Sequence, residues 1–536
     1  MDASNFPEVL DLVAAEIPDD EAIVFGDQRF TYKEVKQKAT QVASGLIELG
    51  VKKDDKVAIL LSNRPEWVFA QFGLLKAGAV LVPLNTRYKI YELEHVLRMS
   101  NTKVLITMKD FMGTDYYEIL KTISPEIDKE KDGRIRSAKL PDLEKIICLE
   151  EKPAPHILEF NEFMENAPLH EEEINKRQAE IQPDDIEGIP FTSGTTGLPK
   201  GVLTTHEQYM REVHAMGERL TIRKGDRILA IPPFSFNLGN MVGLLVSVRF
   251  KCCLVPMEAF EPGKTLELIE KEKITHMTGT PTIFTTLLNH PDFPRYDYSS
   301  LRTALSGASS ASPKLIVEVK EKMGFEVLLN GYGMTENSAC TTMTFPDDTP
   351  EVISKTVGKP LPGVEVCIKD IETGEILPPG KEGEICTRGF LITKGYYGMP
   401  DEPIVDETGW FHTGDIGKLD EEGNLILTGR LKEMYINGGF NVYPVEVENM
   451  LAEHPEVAQA AVVGVPDERM GEVGAAFIIR KEGASCTEEE IRQFSKSKIS
   501  NYKVPKYVEF VDELPLGPTG KIQKYLLLEE MKKKLA

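Results

Sequence analysis

The chain has 536 residues and a mass of 59.9 kDa, too long for one compact core, so at least two domains are expected, one of them large. Its 62 Lys and Arg stand against 85 Asp and Glu, and the net charge of −23 repels nucleic acid and anionic membrane, so any anionic substrate needs a dedicated local positive site. The composition is that of an ordinary soluble protein, the start MDASNFPEVL lacks a signal peptide's basic flank and apolar run, and no apolar stretch is long enough to span a bilayer; the expectation is a cytoplasmic protein without a transmembrane segment.

Ala22 to Phe25, a Gly26-Asp27 turn and Gln28 to Tyr32 read as a hairpin. Thr31 and Glu34 then form a capping box that opens a helix, whose apolar stripe of Val35, Ala39, Val42 and Leu46 ends at Gly50. Lys56 to Leu61 is a buried-strand run, Glu66 to Lys76 a helix, Ala79 to Pro83 a strand and Val104 to Thr107 another, an alternation that predicts an α/β body with parallel sheets. Residues 129 to 179 are charged and proline-bearing with little periodicity, and read as a surface excursion. Beyond Gly429 the elements shorten, with strands at Ala460 to Val465 and Ala475 to Ile479 and a helix capped by Thr487 and Glu490, which predicts a small α+β domain.

Cys148, Cys252, Cys253, Cys340, Cys367, Cys386 and Cys486 are odd in number and contain no C-x-x-C pair, and the histidines show no ligand spacing. Disulfide framework and zinc site are both disfavoured on spacing, and a metal is expected to be oxygen-bound and to arrive with a nucleotide.

Residues 192 to 201 read TSGTTGLPKG: the hydroxyls of Thr192, Ser193, Thr195 and Thr196, the glycines Gly194, Gly197 and Gly201, and the cation Lys200. Glycines let backbone N–H groups approach an anion, and hydroxyls with a lysine add donors, a composition suited to polyphosphate; a flexible linker is the plainer reading. The loop lies between expected strands at Ile186 to Phe191 and Val202 to Thr204, and Leu198-Pro199 after Gly197 departs from the Walker A pattern. Gly263-Lys264-Thr265 is a decoy, because Glu258 stands where the first Walker glycine belongs.

TSGTTGLPKG, GYGMTE at 331 to 336, WFHTGD at 410 to 415, GRLKEMYINGGFNVYPVEVE at 429 to 448 and PTGKIQK at 518 to 524 together resemble the adenylate-forming superfamily of acyl-CoA synthetases, adenylation domains and luciferases, in its acyl-CoA synthetase branch. The resemblance implies an N-terminal domain, residues 1 to 431, of stacked, mostly parallel β-sheets flanked by helices with a β-barrel-like subdomain, and a small mobile α+β domain, residues 432 to 536. It also implies the reaction. A carboxylate is a poor electrophile, so the acid's oxygen attacks the ATP α-phosphorus, pyrophosphate leaves, and the acyl-adenylate passes its acyl group to CoA with release of AMP.

By the same resemblance Lys521 is the catalytic lysine, with Glu336 and Lys200 beside it; Glu336 and Thr192 hold Mg²⁺. ATP and AMP are expected on Thr192, Ser193, Gly194, Thr195, Thr196, Gly197, Gly307, Ala308, Ser309, Asn330, Gly331, Tyr332, Gly333 and Thr335, with Tyr332 stacked on adenine. Asp415 accepts the ribose hydroxyls and Arg430 donates to the ribose. Lys432 is the hinge about which the small domain turns between adenylation and thioester formation, and Gly438 and Gly439 admit the pantetheine arm of CoA.

Adenylation domains for amino acids place an aspartate where this chain has Ser235, so an ammonium-bearing substrate is disfavoured, and the histidine of many acyl and aryl ligases is absent there too. Phe234, Ser235 and Phe236 with Gly307 and Gly331 suggest an acyl pocket for a hydrophobic monocarboxylate, whether medium-chain, alicyclic or aromatic. The chain stops soon after Lys521 with no thiolation domain, which favours CoA over a carrier protein. A carrier-loading acyl-AMP ligase, a luciferase-type oxidation, a non-catalytic nucleotide-binding scaffold and a homodimer stay open at this point.

Overall fold

The computed structural model describes residues 3–127, 134–150, 152–192, 199–307, 313–438, 440–516 and 522–535. The α/β alternation becomes two large sheets. One has nine strands, and its central strands Arg227–Ala230, Cys253–Pro256, His276–Gly279, Thr303–Gly307 and Val327–Tyr332 run parallel. The other has seven, with Lys56–Leu60, Val80–Pro83 and Thr102–Thr107 parallel at its centre.

One continuous core joins both sheets through the helices Tyr32–Glu48 and Pro65–Lys76. The first starts at the expected capping box, with the Thr31 hydroxyl accepting from Glu34 N–H and the Glu34 carboxylate accepting from Thr31 N–H. The second is apolar around nearly its whole circumference, as a helix enclosed on all sides must be. Its polar members are paired inside: Trp67 Nε1 donates to Gln71 at 2.9 Å, and Asn240 donates to Gln71 at 2.7 Å.

The reading of residues 129 to 179 as a surface excursion is corrected. Lys145–Cys148 is a strand of the seven-stranded sheet, paired in parallel with Thr102–Thr107, and Ile146, Ile147, Phe160 and Phe163 are buried. The segment also supplies the helices Phe160–Asn166 and Glu171–Ala179. Its buried positions fall in short clusters between charged residues, which give no sustained periodicity for a sequence pattern to register.

A third sheet is an antiparallel meander of Val364–Lys369, Gly383–Gly389, Phe411–Leu419 and Leu425–Arg430. The C-terminal part builds its own sheet around the long hairpin Val457–Asp467 and Gly471–Arg480, with Thr487 and Glu490 forming the expected capping box of the helix Glu488–Lys498. Among the described residues no helix is long and apolar enough to cross a membrane.

Candidate active site

The C-terminal ends of parallel strands are where an open α/β sheet leaves its crevice. Here Arg227–Ala230 runs into the segment 232 to 237, Thr303–Gly307 ends on Ser306-Gly307, and Val327–Tyr332 ends in GYGMTE. The expected residues of segments 232 to 237, 306 to 307 and 330 to 335 therefore come from the strand ends of one sheet, while Thr192, Asp415 and Arg430 come from others.

The residues flanking the hydroxyl-rich loop pair with one another. Phe191–Thr192 pairs antiparallel with Lys200–Gly201, while Thr204–Thr205 pairs with Ile186–Gly188, so the single strand expected at Val202 to Thr204 is two short ladders. Gly201 is required by packing: a Cβ there would lie 2.7 Å from Ile189 and 2.9 Å from the Phe191 ring. Ser193, Gly194, Thr195, Thr196, Gly197, Ala308, Ser309, Gly439 and Lys521 lie outside the described residues. The Gly263-Lys264-Thr265 decoy is the first turn of the helix Pro262–Lys271, capped by Glu261.

At the base of the hydroxyl-rich loop, Glu336 Oε1 lies 3.5 Å from Thr192 Oγ1 and 3.3 Å from the Tyr396 hydroxyl. A carboxylate and two hydroxyls form a hard-oxygen cluster of the kind that suits Mg²⁺. Glu336 sits with Thr335 in the short turn Thr335–Asn337, where the next residue, Ser338, adopts φ +61° although it is not glycine. That conformation is disfavoured by sterics and is held here from several sides. Ser338 Oγ donates to Leu391 O at 3.1 Å, Asn237 Nδ2 donates to Ser338 O, and Thr393 N donates to Glu336 O at 2.9 Å.

Glu212, which sequence reasoning missed, supports the same turn from below: its Oε1 accepts from Ala339 N at 2.9 Å and from Cys340 N. Burial drives its carboxyl well above the ordinary range, and the two N–H groups act against that rise. Gly333 is obligatory, since a Cβ would lie 2.0 Å from Ala339 O.

Lys200 pairs with Thr192 through the backbone, but its ammonium is engaged elsewhere. Its Nζ makes bonds of 2.7 and 3.0 Å to the Glu402 carboxylate and lies 4.7 Å above the Tyr396 ring. Neither Glu402 nor Tyr396 belongs to a motif that could have announced it.

A second cluster centres on the buried Asp415 carboxylate. Asp415 and Arg430 are cross-strand partners, with Arg430 Nε 3.0 Å from Asp415 Oδ1, and the Tyr332 hydroxyl donates to Asp415 Oδ2 at 2.7 Å. The Tyr332 ring packs with Ile368, Ile385 and Leu425, and burial followed by the Asp415 charge holds its hydroxyl protonated well past its usual range. Each carboxylate oxygen keeps a further lone pair, so a ribose can be accepted without breaking either bond.

Of the remaining expected residues, Gly307 has open space where a Cβ would point, and Gly331 would place one 3.4 Å from Cys340 and Met343. Asn330 spends its side-chain N–H groups on Ile353 O and Thr356 O, at 3.2 and 3.0 Å, which ties its strand to the helix Pro350–Lys355. Phe234 is a core residue, buried 6.1 Å from Trp67, while Phe236 is half-buried. The hydroxyls of Ser235 and Ser306 are buried without a hydrogen-bond partner.

Lys432 is bracketed by two attachments. Before it, Leu431 N donates to Gly414 O at 2.9 Å; after it, Glu433 accepts from Lys524 at 2.7 Å, and Lys524 also pairs with Glu448 at 2.9 Å. Gly438 adopts φ +60°, and a Cβ there would meet Met470 at 2.5 Å.

A family model described as AMP-binding enzyme matches residues 10–397, and one described as AMP-binding enzyme C-terminal domain matches residues 446–521. The chain is 37% identical over 532 residues to a putative acyl-CoA synthetase, YngI, of Bacillus subtilis, covering 98% of this chain and 97% of that one. It is 38% identical to the mitochondrial medium-chain acyl-CoA ligase ACSF2 of Rattus norvegicus, over 98% of this chain and 88% of the relative. A propanoyl:CoA ligase of Rhodococcus jostii, whose named propanoyl group carries a dioxo-octahydroindene ring, is 38% identical over 98% of both chains. Among solved structures, an anthranilate CoA ligase bound to anthranoyl-AMP superposes with a TM-score of 0.86 at 29% identity, over 98% of this chain and 97% of that one.

Proposed function

Because the chain belongs to the AMP-binding enzyme family and is an AMP-forming acid–CoA ligase that uses ATP and CoA, we propose that its acid is a hydrophobic monocarboxylate, medium-chain or cyclic, activated in the crevice at the strand ends. The observation that carries the acid class is the segment from Pro232 to Leu238, which offers Ser235 and half-buried Phe236 and no charged side chain for an ammonium or a second carboxylate. The medium-chain and ring-bearing acids named for the relatives support the same class. A ring acid bearing an oxygen substituent is a second reading, favoured by the unpaired buried hydroxyls of Ser235 and Ser306, since a buried donor without a partner costs about 1–3 kcal/mol.

Asp415 and Arg430 hold the ribose, and the loop from Thr192 to Gly201 receives the phosphates. Glu336 and Thr192 would hold Mg²⁺, which neutralises charge on the phosphate oxygens when bound. Lys521 stabilises the charge that develops as pyrophosphate leaves. Residues 432 to 536 then turn about Lys432 to open the thiol path past Gly438 and Gly439. The attachments of Leu431 to one side and Glu433 to the other support a pivot at Lys432.

The test is pyrophosphate release with ATP and Mg²⁺ across short, medium-chain, alicyclic, keto-alicyclic, aromatic and amino acids, with and without CoA, and again for Lys521→Ala. Catalytic release with medium-chain or cyclic acids is expected, falling about 10²–10³-fold in the variant, the usual scale for losing one transition-state charge donor. Preference for acetate or an amino acid would overturn the acid class, and a variant within threefold of the parent would remove Lys521 from its role.

A further inference from the structure

Away from the nucleotide crevice, the antiparallel meander gathers sulfur, nitrogen and oxygen donors at one point. Cys367 and Cys386 are direct partners on adjacent strands, so both side chains leave the same face, and they pack there with Trp410. His412, the register partner of Cys386 on the following strand, places Nδ1 3.6 Å from Cys386 Sγ and 2.7 Å from Glu384 Oε2. The ligand atoms of Glu384, Cys386 and His412 all lie within 4.8 Å of one another. Tetrahedral Zn²⁺, with bonds of about 2.0–2.3 Å, spaces its ligand atoms by roughly 3.3–3.8 Å.

The groups around these donors already have the arrangement a bound metal requires. A ligating histidine donates its other ring N–H to a carboxylate, which fixes its tautomer and orientation. His412 Nε2 lies 3.1 Å from Asp406 Oδ2, and Asp406 is anchored by Lys369 Nζ at 2.5 Å and Trp410 N at 3.0 Å. The second oxygen of Glu384 accepts from Gly414 N at 3.0 Å. Cys386 is fully buried, while the His412 side chain is 41% exposed and gives the cluster a route to solvent. Two thiolates and one carboxylate around a divalent cation leave one negative charge, with Lys369 close by and Arg388 4.5 Å over Trp410 to offset it.

We propose that Cys386, His412 and Glu384 form a site for a thiophilic divalent cation of the zinc class, separate from the hard-oxygen cluster at Glu336, with Cys367, which lies outside that 4.8 Å cluster, moving in as fourth ligand on binding. On binding, each cysteine releases its thiol proton to solvent as a metal–sulfur bond forms, and the metal displaces the proton between His412 Nδ1 and Glu384; no electron moves. The sequence concealed the site because its donors come from three strands and have no local ligand spacing. Its occupant ties Gly383–Gly389 to Phe411–Leu419, the strand that presents Asp415 three residues beyond His412.

The test uses the full-length protein, reduced and stripped of metal, with all seven thiols counted before titration. Co²⁺ is the probe, read by thiolate-to-cobalt charge transfer in the near ultraviolet and tetrahedral bands in the visible. One equivalent is expected to develop both, and Zn²⁺ to bleach them. Cys386→Ser and His412→Gln should each weaken binding at least 100-fold, Asp406→Asn about 10–100-fold, and Glu336→Gln should leave the spectrum unchanged. The proposal is overturned if the parent protein shows no charge-transfer band, or if the band persists at full strength in Cys386→Ser. Neither readout depends on turnover, so failure here is separable from failure of the proposed acid class.

Discussion

The two ends of the nucleotide crevice are built differently. At the proposed ribose end, Asp415, Arg430 and Tyr332 stand on regular strands, with the Asp415 side chain 8% exposed and that of Arg430 53%. At the proposed phosphate end, Thr192, Lys200, Glu336, Tyr396 and Glu402 come from paired loop flanks, a short turn and loops, with Lys200 and Glu402 side chains 25% and 42% exposed. The ribose end has its polar groups satisfied before a nucleotide arrives, and binding adds to existing bonds. At the proposed phosphate end, a phosphate that engages Lys200 would exchange the Lys200–Glu402 pair for contacts to the ligand. Ion pairs this open to solvent are worth about 0–1 kcal/mol, so the exchange costs little. On the proposed assignment, strand-borne groups would fix where the nucleoside sits, while weakly held groups would follow the phosphates through the reaction.

Removing the ribose acceptor should do the most damage. Asp415→Ala deletes both oxygens and leaves a buried tyrosine hydroxyl and a guanidinium without their partner. Hydrogen bonds to charged groups contribute about 1.5–3 kcal/mol each, so losing the ribose pair should lower kcat/KM for ATP about 10²–10⁴-fold in acid-dependent pyrophosphate exchange. A loss below tenfold would mean that the rigid end does not set nucleotide affinity. Tyr332→Phe comes next: the ring keeps its packing on Ile368, Ile385 and Leu425, but Asp415 loses one organising donor. About 1 kcal/mol, or a five- to tenfold rise in KM for ATP with kcat nearly constant, is expected. A fall in kcat with unchanged KM would instead place Tyr332 among the groups that act on the transition state.

The same contrast separates what was legible in the sequence from what was not. Thr192, Glu336, Asp415 and Arg430 sit in runs where several residue types must follow one another, so their spacing could be read directly. The capping boxes at Thr31 and Thr487 were legible for the same reason, because their partners lie three residues away. Glu402, Tyr396 and Glu212 act alone across long separations: Glu402 is 202 residues from Lys200, and Glu212 is 128 from Cys340. Nothing local marks such residues. The strand Lys145–Cys148 escaped because its buried positions are too few to establish a period. Phe234 shows the opposite failure, since an aromatic residue beside a substrate motif reads equally well as pocket wall or core, and only its packing on Trp67 places it in the core.

The smallest expected effect sharpens the comparison most. Glu402→Gln keeps the shape of the side chain and removes the charge that holds Lys200 at 2.7 and 3.0 Å. If that pair competes with the phosphates for Lys200, the variant should lower KM for ATP by up to about fivefold at low ionic strength, corresponding to the release of roughly 1 kcal/mol. The difference should fade as salt is raised, because the screening length falls from about 10 Å at 0.1 M to about 3 Å at 1 M. Asp415→Ala also removes the hydrogen bond from Tyr332 to a buried carboxylate, so beyond the part due to Arg430, whose side chain is 53% exposed, its effect should recover little with salt. A rise in KM for Glu402→Gln would reverse the assignment: Glu402, together with the Tyr396 ring under the ammonium, would then hold Lys200 ready for the phosphates, and the phosphate end would be as preorganised as the ribose end.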